Sequence, residues 1–275
     1  MKLVWGLHLK DKNQLHSPYV YDMFYISIQM GKDLGYETVL YGTKDAIERL
    51  GEYVDETHNT DELEYKFFDD LKIYILENRV DDYLILDGDV FLHSPLVFKN
   101  PNSFVWIDSI VKSKMSDYTK DCLDLINNFN ITEMIPEWNV NERLAFSTGL
   151  LKVKGNNGLI KYYVESYKKF KNWFLSNEKM LNSMNLELHS SKSLISHYVF
   201  EHLLQRIVNY YGLDFEELEN ENFYYHWQGN EKFENENKIE CIRLIAENHK
   251  KTGGSIKNIY ESLVNSSLIK PILYP

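Results

Sequence analysis

The chain has 275 residues and a formal charge of −11, from 30 Lys and Arg against 41 Asp and Glu. Hydrophobic residues make up 44% and charged residues 26%, ordinary usage for a globular protein that can bury a core without staples. The acidic excess argues against a broad nucleic-acid-binding face, and the 2 cysteines, Cys122 and Cys241, argue against a disulfide framework or a thiolate metal site. Residues 2–9 read as a buried strand. Ser17-Pro18 marks a helix start, Val20, Met23, Phe24 and Ile28 follow at helical spacing, and Gly31 and Gly35 offer stops. Residues 36–41 read as a strand, and Thr43 as the cap of a helix through Leu50. A helix over 61–78 carries Leu63, Phe67, Leu71, Tyr74 and Ile75 on one stripe. Tyr83-Leu84-Ile85-Leu86 is a continuous apolar run suited to a strand covered on both faces. Strands alternating with helices predict a parallel α/β sheet.

Further on, 104–107 and 144–153 read as strands, 122–129, 159–175 and 193–211 as helices, and Gly155-Asn156-Asn157-Gly158 as a turn. Residues 222–227 form an aromatic-rich strand, and 239–246 a strand or short helix. No apolar run reaches the length of a membrane span, and the apolar N-terminal stretch lacks a cleavage site, so a cytoplasmic location is expected. Aromatic residues stand at 14%, with 20 Tyr, which suits sugar or base contacts as well as packing.

The sharpest local feature is Leu86-Asp87-Gly88-Asp89-Val90, with the chain's only Asp-x-Asp. In an extended segment residues i and i+2 face the same way, so Asp87 and Asp89 can converge on one hard cation, and Gly88 lets a ligand approach the backbone. At the carboxyl end of a parallel strand this is also where α/β sheets bind ligands. The competing reading is a plain hairpin, because Asp-Gly between apolar runs is a strong turn signal. A second feature, Tyr224-Tyr225-His226-Trp227-Gln228-Gly229-Asn230-Glu231-Lys232, spaces His226, Gly229 and Lys232 three apart. Imidazole suits Mn²⁺ or Zn²⁺, glycine a close backbone approach, and lysine a diphosphate oxygen; a surface turn is the bland alternative. His8 and His16 read as structural or solvent-facing before they read as pocket residues. Trp106, Trp138 and Trp227 suit packing as well as sugar stacking. Asp108 reads as an exposed loop acid before it reads as an acceptor-side carboxylate, and 216–221 as a solvated acidic face.

Together the two motifs resemble those of nucleotide-sugar glycosyltransferases of the GT-A fold, especially glycosyltransferase family 8. The resemblance implies an α/β, Rossmann-like fold with a mainly parallel central sheet flanked by helices. It implies one catalytic domain over 1–275, with a nucleotide-sugar half at about 1–110 and an acceptor half at about 111–275. Asp87, Asp89 and His226 would bind Mn²⁺ (or Mg²⁺), Lys232 would contact the donor diphosphate, and Gly229 would take the family's glycine. Lys66 falls near a basic residue used against the donor, His8 lies by the nucleotide edge, and Glu201 keeps an acidic position that orients sugar or acceptor. The pattern departs at Ser147, where the family has Asn, at His202, where it has Gln, and after Lys232, where Pro-Trp is missing. The implied activity is sugar transfer from a nucleotide-diphosphate sugar, with UDP favoured, to a hydroxyl on a carbohydrate or glycoconjugate, with retention. The rivals are a GT-A-like nucleotidyltransferase or metal-dependent phosphohydrolase, and a non-catalytic carbohydrate-binding or scaffold protein.

Overall fold

A computed structural model of the chain describes residues 1–8, 18–66, 69–79, 82–112, 144–154, 158–177, 192–218, 223–226, 235–270 and 273. Along the first part run β1 (Lys2–Leu7), α1 (Pro18–Asp33), β2 (Glu37–Gly42), α2 (Lys44–Leu50), β3 (Glu56–Asn59), α3 (Asp70–Asn78), β4 (Tyr83–Leu86) and β5 (Val90–Leu92). Then come β6 (Val105–Lys112), β7 (Leu144–Val153), α4 (Gly158–Ser176), α5 (Lys192–Tyr210), β8 (Phe215–Glu217), β9 (Tyr224–His226), α6 (Glu236–Thr252) and α7 (Ile256–Asn265).

Seven strands form one sheet in the order β3-β2-β1-β4-β7-β6-β8. β1 pairs in parallel with β2 and β4, β2 with β3, and β6 with β8; β7 runs against both β4 and β6. The expected fold class, α/β with a mainly parallel central sheet flanked by helices, is the one observed. Alternation within each strand decides which helices cover which face. Val4, Val39 and Ile85 join a core with α3, α4 and α5. Leu3, Trp5, Leu40, Leu84 and Leu86 join one with α1, α2, α6 and α7. Burial on both faces explains why β4 is written entirely in apolar residues.

Some expectations change. The helix expected over 61–78 begins only at Asp70. Asn59 accepts a hydrogen bond from the Asp61 amide at 2.8 Å, and the Leu63 amide bonds back to the Thr60 carbonyl, so local turns take the backbone groups a helix would need. Gly31 lies inside α1, while Gly35 follows its end. Residues 239–246 belong to the longer helix α6. Glu216 is no solvated acid: it accepts hydrogen bonds from the Lys99 and Asn100 amides and the Trp106 indole. Trp106 is 3% exposed and is a packing residue. The expected 122–129 helix, Ser17, His16, Phe67, Trp138, Trp227 and most of the turn at 155–158 lie outside the described residues. Among the described helices none is long and apolar enough to cross a membrane.

Candidate metal centre

β4 ends at Leu86, and Asp87 to Val90 make a tight turn in which the Val90 amide bonds to the Asp87 carbonyl at 3.1 Å. The turn does not close a hairpin. β5 leaves β4 and pairs antiparallel with β9, with Val90 opposite His226 and Leu92 opposite Tyr224. Ser27 of α1 fixes β5 from below: it accepts from the Trp5 indole at 2.9 Å and donates to the Val90 carbonyl at 2.6 Å. The strand that follows Asp89 is thereby the strand that receives His226. The consequence is a cluster in which Asp87, Asp89 and His226 each offer a ligand atom, all within 4.8 Å of one another.

Two glycines make room for this arrangement. A Cβ on Gly149 would stand 2.1 Å from His226 Cε1, so the imidazole lies flat against bare backbone in β7. A Cβ on Gly88 would stand 2.1 Å from Phe24 Cε2, so the close approach at that glycine is made by a core ring of α1.

His226 Nε2 lies 3.7 Å from Asp89 Oδ1, and its Nδ1 lies 2.7 Å from Asp108 Oδ2. Asp108 is a fully buried strand residue, contrary to its reading as an exposed loop acid. It sits at a β-bulge where the β6–β7 register shifts between Ile107 and Ser109. Ser147 Oγ donates to its Oδ2 at 2.9 Å and the Tyr224 hydroxyl to its Oδ1 at 2.5 Å. Burial works to raise the Asp108 pKa, but the bonds from His226, Tyr224 and Ser147 outweigh it and hold the carboxyl below its usual range. Burial works to lower the His226 pKa, and the Asp108 bond with the charges of Asp89, Asp108 and Asp87 outweighs it and raises it.

A buried cation flanks the cluster. Lys72 of α3 places its ammonium 2.9 Å from Asp87 Oδ1 and donates to the Thr148 carbonyl at 3.0 Å. Burial opposes its charge, yet the fields of Asp87, Asp69 and Glu201 leave its pKa raised. Glu201 of α5 accepts from the Thr148 amide at 3.0 Å and the Thr148 hydroxyl at 3.1 Å. The Thr148 peptide is thus pinned from both sides.

The structure therefore brings Asp87, Asp89 and His226 together, and Glu201 lies against Thr148, which Lys72 links to Asp87. His8 is buried just past β1 and stacks on Tyr65 with ring centroids 4.3 Å apart. Lys66 is exposed and pairs with Glu64 at 3.3 Å; the lysine that reaches Asp87 is Lys72. Gly229 and Lys232 lie outside the described residues. Sequence reasoning missed Lys72, whose one signal was a charge inside the apolar run Leu71-Lys72-Ile73.

A divalent ion fits the donor set. Two carboxylates and an imidazole are hard or borderline donors suited to Mn²⁺ or Mg²⁺. The side chains of His226 and Asp89 are 8% and 4% exposed. Among the described residues the carboxylates of Asp87, Asp89 and Asp108 gather around His226 with the ammonium of Lys72 beside Asp87, a setting whose donor atoms suit a cation.

No family model matches the sequence, and no curated protein matches it either. Among solved structures, the glycosyltransferase GlyE of Streptococcus pneumoniae TIGR4 aligns at 10% identity and TM-score 0.45, over 98% of this chain and 65% of its own. The inositol-1-phosphate CTP transferase from T. maritima aligns at 12% identity and TM-score 0.42, over 87% and 96%. The PaToxG glycosyltransferase aligns at 12% and 0.39, over 96% and 87%. This chain thus spans just under two thirds of the GlyE structure. Likeness at this level lends no activity to the chain, and the functional reading rests on the side chains.

Proposed function

We propose that the protein is a metal-dependent glycosyltransferase that moves a sugar from a nucleotide-diphosphate sugar, UDP-linked by preference, to a hydroxyl of a carbohydrate or glycoconjugate, with retention of anomeric configuration. The reading takes the chain as one GT-A-like domain in the cytoplasm, with a donor half at about 1–110 and an acceptor half at about 111–275. The observation that carries it is the convergence of Asp87, Asp89 and His226 within 4.8 Å at the carboxyl end of β4, the edge at which parallel α/β sheets take ligands.

Asp87, Asp89 and His226 would hold the ion, which when bound supplies Lewis-acid stabilisation of negative charge on a nucleoside-diphosphate leaving group. The chain's own residues do the rest. Lys72 keeps a fixed positive charge beside Asp87 whatever the state of the donor. Lys232 would add a cation for the diphosphate, and Gly229 would allow a close backbone approach. Glu201 holds the Thr148 peptide still, which fixes the floor on which donor sugar and acceptor hydroxyl meet. His8 and Lys66 border the donor half.

Melting curves with Mn²⁺ and UDP test the reading. Linkage gives roughly 2.7 kcal/mol of stabilisation at a ligand concentration a hundredfold above Kd. The wild type is expected to gain thermal stability with both additives, and Asp89→Ala to lose the gain. A panel of nucleotide sugars, with the product anomer read by NMR, then identifies donor and stereochemistry. No shift with UDP, GDP or CDP in the presence of Mn²⁺ contradicts the proposal and favours a non-catalytic role. Turnover of nucleoside triphosphates instead favours nucleotidyl transfer.

A further inference from the structure

We infer that Asp108 is a positioning residue for His226: it holds the imidazole in the tautomer that carries its proton on Nδ1 and so turns the lone pair of Nε2 toward Asp87 and Asp89. The inference rests on the metal reading above and names the residue that prepares one of its ligands. Among the described residues three donors converge on one fully buried carboxylate. Ser147 and His226 meet Oδ2 at 2.9 and 2.7 Å, and Tyr224 meets Oδ1 at 2.5 Å. An ionised carboxylate only accepts hydrogen bonds, and Ser147 and Tyr224 each have a single hydroxyl proton to give. A hydrogen must therefore lie on the Nδ1 side of the Asp108–His226 contact. The opposite tautomer would set two lone pairs 2.7 Å apart in a buried site and point an N–H at Asp89, 3.7 Å away.

The backbone makes the same choice. The bulge between Ile107 and Ser109 sets Asp108 opposite the stretch of β7 that contains Gly149, and the missing side chain at Gly149 leaves the imidazole a slot between β7 and the acid. Tyr224 and His226 lie two apart on β9 and so face the same side, which is why both reach Asp108. Ring orientation is thus determined by one strand and proton position by another. A metal-bound histidine whose second nitrogen is anchored to a carboxylate has its orientation fixed and its basicity raised.

The test needs no enzymatic turnover. Imidazole ¹⁵N shifts of the metal-free wild type, recorded in alkaline buffer where the ring is neutral and assigned by difference against His226→Gln, report the tautomer directly. A protonated Nδ1 and bare Nε2 are expected; a protonated Nε2 overturns the inference. Mn²⁺ affinity, read from the EPR signal of the free ion, is then measured for Asp108→Asn, His226→Gln and the double variant. Asp108→Asn is expected to weaken binding roughly 10–100-fold. In the His226→Gln background the same change is expected to cost no more than about twofold, because it acts through the missing ring. Full additivity would make Asp108 an independent contributor and overturn the inference. Unchanged Mn²⁺ binding in His226→Gln overturns the metal reading and, with it, the purpose assigned to Asp108, while the spectrum still decides the tautomer. The wild-type spectrum keeps the inference falsifiable even where Asp108→Asn fails to fold.

Discussion

Gly149 shows how much of the site depends on an atom that is not there. Its Cα faces the His226 ring, and an added methyl would overlap Cε1 at 2.1 Å. Gly149→Ala is therefore expected to displace the imidazole and abolish Mn²⁺-dependent stabilisation. The apoprotein should lose about 1–3 kcal/mol, the usual range for overpacking; calorimetry with and without Mn²⁺ separates the two effects. Protons should compete with the ion as well. The His226 pKa is raised, so the ring keeps its proton to a higher pH than a free histidine, and the ion must displace that proton. Mn²⁺ affinity is expected to fall as pH drops through the His226 titration, with proton release on binding seen in buffers of different ionisation heat. Asp87 and Asp89 were legible in the sequence from residue type and spacing, and His226 joined them through the resemblance to the glycosyltransferase motifs. Asp108 drew notice only as an acceptor-side acid weighed below an exposed loop acid, and Lys72 drew none. An acid in Trp106-Ile107-Asp108-Ser109 and a lysine in Leu71-Lys72-Ile73 reach the cluster only when distant strands and helices supply their partners.

At the level of elements, the decisive contact is the short ribbon of β5 and β9. It carries His226 to the turn after β4; β9 falls within the strand expected over 222–227, but the three residues of β5 are too few for a period-2 pattern, and nothing local shows that the two strands pair. The same brevity hid β3 and β8, whereas β1, β2 and β4 with their helices showed the expected alternation. β3, at the edge of the sheet, is tied by charge. Its Glu56 accepts from Lys2 at 2.9 Å and Arg79 at 3.3 Å and meets His58 at 2.5 Å. The Lys2 hydrogen bond leads, burial opposes, and His58 and Arg79 add to it, holding the carboxyl at about 2 against an ordinary 4.5. A depressed carboxylate pKa gives stability that is complete above the ordinary value and lost as pH falls toward the depressed one. Melting temperature is therefore expected to fall between pH 4.5 and about 2, and Glu56→Gln to flatten that part of the curve. Helix α6 offers a plainer case. Asn235 caps it by accepting from the Asn237 and Lys238 amides, so Asn235→Ala should cost about 1 kcal/mol in urea unfolding.

For the whole molecule, strand length explains where the site can be. β4 has 4 residues, while β6 and β7 have 8 and 10. The β4–β7 register runs through Leu86 and Leu150, and beyond it β7 continues beside β6, with Ser147 opposite Ser109. The longer pair overhangs the carboxyl end of β4 and forms a wall that presents Ser147, Thr148 and Asp108 to the turn of Asp87 and Asp89. α3 closes the cluster from one face of the sheet through Lys72, and β5 and β9 lie on the other. Among the described strands of the sheet β7 alone runs antiparallel to its neighbours, and it brings that wall to the carboxyl end of β4. Anomalous scattering from crystals of the full chain soaked in Mn²⁺ tests this account most directly. It predicts one strong peak bounded by Asp87, Asp89 and His226; Mn²⁺ bound only elsewhere, or a cluster still closed by Lys72 with no ion at saturating Mn²⁺, would contradict it.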